Sequence, residues 1–201
     1  MEIVREFEGK YGGVWTKVRF YKEEPEIKRL KRGKGIRFCE AVGRARLSPL
    51  ILDKESISCP GARYVFGWDN NLKEKMIKAC GERRSISKEK AESILDKIPL
   101  LPQGFKYIGL NLGGEPDLVI SYPQPEQFMN LLKAYQNHQG ENLDISLSSV
   151  VSVCGNIAVR TFLGQEINIS FGCDDSREYG NIGRDRLVVG IPKRLFDIFI
   201  R

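Results

Sequence analysis

The most regular spacing of apolar side chains lies at 124–138, QPEQFMNLLKAYQNH, where Phe128, Leu131, Leu132 and Tyr135 recur at i, i+3, i+4 and i+7. That period predicts a helix with one buried face. Further helices are expected at 71–80, ending at the Cys80-Gly81 pair, and at 87–97, where Ser87 caps and Pro99 stops the run. The small side chains of 38–46, FCEAVGRAR, predict another helix that stops before Ser48-Pro49. Pro60, directly after Cys59, marks a helix start, because the first turn has no use for the N–H that proline lacks.

Strand patterns lie between these helices. GGVWTKVRFY at 12–21 reads as a strand broken by KEEPE, and LILDKESIS as an extended segment leading to Cys59. A strand at 105–112 and PDLVISY at 116–122 flank Gly113-Gly114 and suggest a hairpin. After Gly140 come an alternating LDISLS strand, a short helix from about Cys154 and an EINISF strand into Cys173. An Asp- and Gly-rich loop, RLVVGIP and a short C-terminal helix follow. The sum is an α+β fold, a mixed or antiparallel sheet with helices.

Two stretches echo each other. Cys39 and Cys59 enclose 19 residues, Cys154 and Cys173 enclose 18, and an arginine, Arg63 or Arg177, stands four residues after the second cysteine. Tyr64 or Phe66 answers Tyr179, Gly67 answers Gly180, and VRFYKEEPE (18–26) resembles VISYPQPEQ (119–127). This points to a degenerate duplication inside a single domain spanning 1–201. Its half-repeats run from about 12 to 67 and 116 to 192, joined by a helical segment at about 70–98. Packed about a pseudo-two-fold axis, such halves would bring the four thiols together.

Composition narrows the chemistry. A chain of 201 residues, 41% apolar and 29% charged, can bury a core without metals or disulfides. No apolar run has the length of a membrane span, and MEIVREFEGKYGG is too charged for a signal peptide, so no membrane and a cytoplasmic location are expected. In that compartment five cysteines favour thiolate chemistry or metal binding ahead of disulfides. The net charge of +6 gathers in IKRLKRGKGIR at 27–37. The 28–37 basic run suits nucleic acid or a solvated surface, and it lacks the interleaved aromatics that stack bases.

Four sulfurs select zinc or an iron–sulfur cluster, and the close Cys-x2-Cys knuckles of zinc ribbons are absent here. Cys59-Pro60 resembles the Cys-Pro that closes ferredoxin ligand runs, while Gly61, Gly155 and Gly172 let backbone N–H groups approach sulfur. The leading expectation is an iron–sulfur cluster on Cys39, Cys59, Cys154 and Cys173 with a redox or cofactor-related role and a redox partner. The alternatives are zinc, buried or paired thiols without metal, and a thiol-based catalytic site. Arg63 and Arg177 would present guanidinium forks to a cofactor or small anionic ligand, or pair with local carboxylates such as Asp174, Asp175 and Glu178. A small-anion-binding module with merely packed cysteines is thus a second function class. His138 is the one histidine, so a Cys/His or Ser/His/Asp arrangement rests on it alone, and the glycines form neither a P-loop nor a dinucleotide fingerprint.

The blocks FCEAVGRAR…ISCPGARYVFGW, PDLVISYPQPEQFMNLLKAY and CGNIAVRTFLGQEINISFGCDDSREYG…DRLVVGIP resemble the domain of unknown function 169 family of archaea and anaerobic bacteria. The resemblance runs from about residue 15 to 192. It implies a shared fold and cysteine pattern, without a reaction, and it leaves Cys80 outside the pattern.

Overall fold

The computed structural model describes Glu8, Lys10, Tyr11, residues 15–27 and residues 31–200. Strand β1 (Trp15–Tyr21) buries Val18 and Phe20 on one face and exposes Arg19 on the other, as alternation requires. Residues 12–14 of the expected strand lie outside the described residues. Strand β2 (Lys31–Arg32), helix α1 (Phe38–Arg44), strand β3 (Leu50–Leu52) and helix α2 (Pro60–Val65) follow. The extended reading of 50–58 holds only to Leu52. The chain then turns, with Ser56 donating its N–H and Oγ–H to Asp53 at 2.8 and 2.7 Å, and rejoins through the Ile36–Ile57 bridge.

A 3-10 turn at Asn70–Leu72 leads into α3 (Lys73–Arg84) and α4 (Lys88–Asp96). Helix α3 does not stop at Cys80-Gly81. Gly81 serves close packing, since a side chain there would meet the Ile86 carbonyl at 3.2 Å, and the helix ends instead at Ser85 in a left-handed cap with φ 52°.

Strands β4 (Tyr107–Leu110) and β5 (Leu118–Ser121) precede α5 (Pro125–Gln139), whose Phe128, Leu131 and Tyr135 are buried as the period requires. A π-helix at Ser152–Val159, α6 (Arg160–Gly164), β6 (Asn168–Ser170), α7 (Asp174–Tyr179), β7 (Val188–Pro192) and α8 (Lys193–Ile200) complete the chain. Two expectations fail here. LDISLS forms no strand: Ile145 and Leu147 are exposed, and among the described residues no strand pairs with it. The acidic stretch after Cys173 is helix α7 rather than a loop, with Asp174 and Asp175 in the first turn, where carboxylates offset the positive end of the helix.

The seven strands form one mixed sheet in the order β2-β3-β4-β1-β5-β7-β6, in which only β2 and β3 run parallel. The architecture is α+β. The expected 105–122 hairpin does not form, because β1 lies between its arms. Leu110 and Leu118 both register with Val18, so the chain leaves one edge of β1 and continues along the other. The crossing is held by its own polar side chains. Asn111 accepts the Lys17 N–H at 2.8 Å, and Asp117 accepts that of Phe20 at 2.7 Å.

With β2 set aside, the strand order reads alike outward from the central β1–β5 pair, through β4 and β3 on one side and β7 and β6 on the other. Arg19 stands opposite Gly109 as Ile120 stands opposite Gly190, the same offset at which VRFY and VISY align. Helices α5 and α8 cover one face, packing Phe128, Leu131, Leu195 and Phe196 on Val119, Val189 and Ile191. Cys39, Cys59, Cys80 and Cys154 pack on the other face, with Val18, Phe20, Ile108, Leu118 and Val188, and Cys173 shares a cavity with them. No helix among the described residues is long and apolar enough to cross a membrane.

Candidate functional site

Four short elements deliver the four thiols. Cys39 is the second residue of α1, and Cys59 and Cys173 immediately precede α2 and α7. Pro60 opens α2, so the first-turn N–H groups of Gly61 and Ala62 lie beside the Cys59 thiol. The Cys39 Sγ–H points at the Asp175 carbonyl at 3.9 Å, and the Gly155 N–H after Cys154 donates to the Val151 carbonyl at 2.8 Å. Ser176 Oγ accepts the Cys173 N–H at 2.7 Å and fixes the turn into α7.

Cys154 is held by unusual backbone. It lies in the π-helix, a form that concentrates at functional sites, and this is entered through Val151 at φ 42°. A β-branched residue in the left-handed region costs about 1–3 kcal/mol and persists only where its surroundings fix it. Here the fixing contact is Gly61, on which a Cβ would lie 2.5 Å from Val151 Cγ1.

The four sulfurs line one cavity of about 110 Å³, and Cys80 lines it too. The rest of the wall includes Met76, Val151, Arg83, Arg84, Ser149, Asp174 and Asp175. All five cysteines are unpaired thiols. Burial, reinforced by the neighbouring Cys173 and Cys59, pushes the Cys39 thiol up to about 12. Burial likewise raises Cys59, with Asp175 and Cys173 adding to it, and holds Cys154 well above the ordinary thiol, with Cys59, Cys173 and Cys39 adding to it. Buried and protonated, these thiols are poor nucleophiles at neutral pH. Among the described residues, no three of Cys, His, Asp and Glu are grouped to hold a single metal ion.

The matched arginines stand away from this cavity. Arg63 pairs with Asp69 at 2.9 Å. Arg177 donates to the backbone carbonyls of Phe171 at 2.6 Å, Arg186 at 2.8 Å and Gly183, tying down the loop after α7. His138 is exposed in the last turn of α5. Of the basic run, residues 28–30 lie outside the described residues, while Arg32 pairs with Glu24 and Asp53.

Cys80 escapes the repeat pattern, yet a signal for it exists. Met76, Ala79, Cys80, Arg83 and Arg84 follow i, i+3, i+4, i+7 and i+8, one face of α3, and that face lines the cavity. Ending the helix at Cys80 hides it.

An α+β protein whose cysteine-bearing helices enclose a thiol-lined cavity is the class that fold and site define. Residues 17–201 match the DUF169 family, described as "Uncharacterised ArCR", and the chain belongs to that family. It is similar to "Uncharacterized protein MJ0308" of Methanocaldococcus jannaschii, with 26% identity over 174 residues, 81% of this chain and 74% of that protein. No solved structure matches the chain.

Proposed function

We propose that the protein binds an iron–sulfur cluster through Cys39, Cys59, Cys154 and Cys173 and serves electron transfer or cofactor chemistry. The observation that carries this reading is the lining of one cavity by cysteines from four separate segments, with the first-turn N–H groups of α2 beside one of them. Such N–H groups stabilise sulfur once it bears negative charge and raise the potential of a cluster.

Size favours a compact inorganic group over an organic ligand. About 110 Å³ is small beside the roughly 300–1,000 Å³ of pockets that hold organic ligands, so a compact inorganic group fits better. One zinc ion, with bonds of about 2.3 Å, draws its thiolates to within about 4 Å of each other. A cluster holds its thiolates farther apart, with iron and sulfide atoms between them. The outward repetition of strand order from β1 and β5 supports a duplicated origin for the two cysteine pairs, and hence one shared site.

The test is the loading of cysteine variants after anaerobic reconstitution. Cys39→Ala, Cys59→Ala, Cys154→Ala and Cys173→Ala should each lose most of the iron bound by the parent chain, while Cys80→Ala keeps it. Equal loading of all five variants would contradict the ligand assignment.

A further inference from the structure

At the mouth of the cavity two arginines face two aspartates in loose pairings. Arg83 and Arg84, at the end of α3, line it from one side, and Asp174 and Asp175, in the first turn of α7, from another. The Asp175 carboxylate is shared between Arg83 Nη1 at 3.5 Å and Arg37 Nε at 3.9 Å. Both contacts are looser than the about 2.7–2.9 Å of a charge-assisted hydrogen bond. Arg37 Nε is buried with no hydrogen-bond partner, and its guanidinium lies 3.6 Å from the Tyr179 ring centroid, which holds it in place. Arg84 Nη2 donates to the carbonyl and hydroxyl of Ser149 at 2.9 and 3.2 Å, both neutral acceptors that leave its charge unanswered.

We propose that this mouth is a binding site for a small oxyanion, a carboxylate or a phosphate, gripped by Arg83 and Arg84, and that Asp175, shared with Arg37, occupies it as an internal substitute until the ligand displaces it. A planar guanidinium binds carboxylate or phosphate through two parallel N–H groups, a geometry that the 3.5 and 3.9 Å contacts to Asp175 leave unused. Asp174 is exposed, so solvent weakens its repulsion of an arriving anion.

This inference rests on the cavity of the proposed function and names the class of ligand that would share it with the metal centre. It is tested without the metal. The reduced, metal-free full chain is titrated with inorganic phosphate and with succinate by calorimetry at fixed ionic strength. Saturable binding of one ion per chain is expected for at least one of the two, and which one binds decides between phosphate and carboxylate. Arg83→Gln and Arg84→Gln should weaken it at least tenfold, whereas Asp175→Asn, by removing the internal competitor, should tighten it several-fold. No saturable binding of either ion, unchanged affinity in both arginine variants, or weaker binding by Asp175→Asn would overturn the site. Tight anion binding by a chain that takes up no iron would leave this site standing and sink the cluster; the reverse result would remove the anion site alone.

Discussion

Val151 and Gly61 fit together as a strained residue and the space that holds it: a Cβ on Gly61 would lie 2.5 Å from Val151 Cγ1 and 3.7 Å from Cys59 Sγ. One contact thus sets both the entry to the π-helix carrying Cys154 and the turn carrying Cys59. Gly61→Ala should destabilise the metal-free protein by about 1–3 kcal/mol, the usual cost of overpacking a core. Urea denaturation of the reduced chain measures it, and an unchanged midpoint would show that the two walls adjust independently.

The crossing at β1 gives a second stability test. Asn111 accepts the Lys17 N–H at 2.8 Å, donates to the Ala45 carbonyl at 2.9 Å, and holds a left-handed φ of 54°. Asn111→Ala removes both bonds and places alanine in a conformation it disfavours, so a loss of about 2–3 kcal/mol is expected. Asn111→Gly, which relieves the backbone, should recover part of it. Equal losses in the two variants would assign the whole effect to the hydrogen bonds.

These interactions also mark what the sequence makes legible. Helix α5 reads directly from its period because solvent bathes one side and the core the other. The spacing of Cys39, Cys59, Cys154 and Cys173 picks out four of the five cysteines that line the cavity and misses Cys80. A hairpin over 105–122 is the natural local reading, yet β1, about 90 residues upstream, inserts between its arms. LDISLS alternates without a partner strand, and Asp174-Asp175 carries the composition of a loop while acting as the first turn of a helix. Arg63 and Arg177 match in sequence, but their partners, Asp69 and three backbone carbonyls, come from surroundings that differ between the halves.

The raised thiols set the alkaline limit of the metal-free protein. Burial holds the Cys39 thiol at about 12 against an ordinary 9.0, so the folded state binds a proton that the unfolded chain releases first. The resulting stability is fully present below pH 9 and is lost as pH rises from 9 toward 12. Cys59 and Cys154, also raised, add in the same direction. Denaturant midpoints of the reduced protein should fall across that window, and Cys39→Ala should fall less steeply than the parent. A flat profile in the parent would show that these thiols are not protonated burials.

Exposure orders the thiols by reactivity. Cys59 and Cys173 are half-buried, whereas Cys39, Cys80 and Cys154 are buried. Iodoacetamide at neutral pH, followed by peptide mass analysis, should modify Cys59 and Cys173 first and slowly, with the other three reacting only on unfolding. Rapid, selective modification of one cysteine would instead mark an activated nucleophile and favour thiol catalysis.

The cluster reading is tested most directly on the parent chain, purified and reconstituted without oxygen, by its visible absorption spectrum together with iron and acid-labile sulfide content. The account predicts a brown protein with broad sulfur-to-iron absorption that bleaches on reduction, and iron and sulfide in equal amounts. A colourless protein containing neither, after reconstitution under conditions that load other clusters, would contradict it.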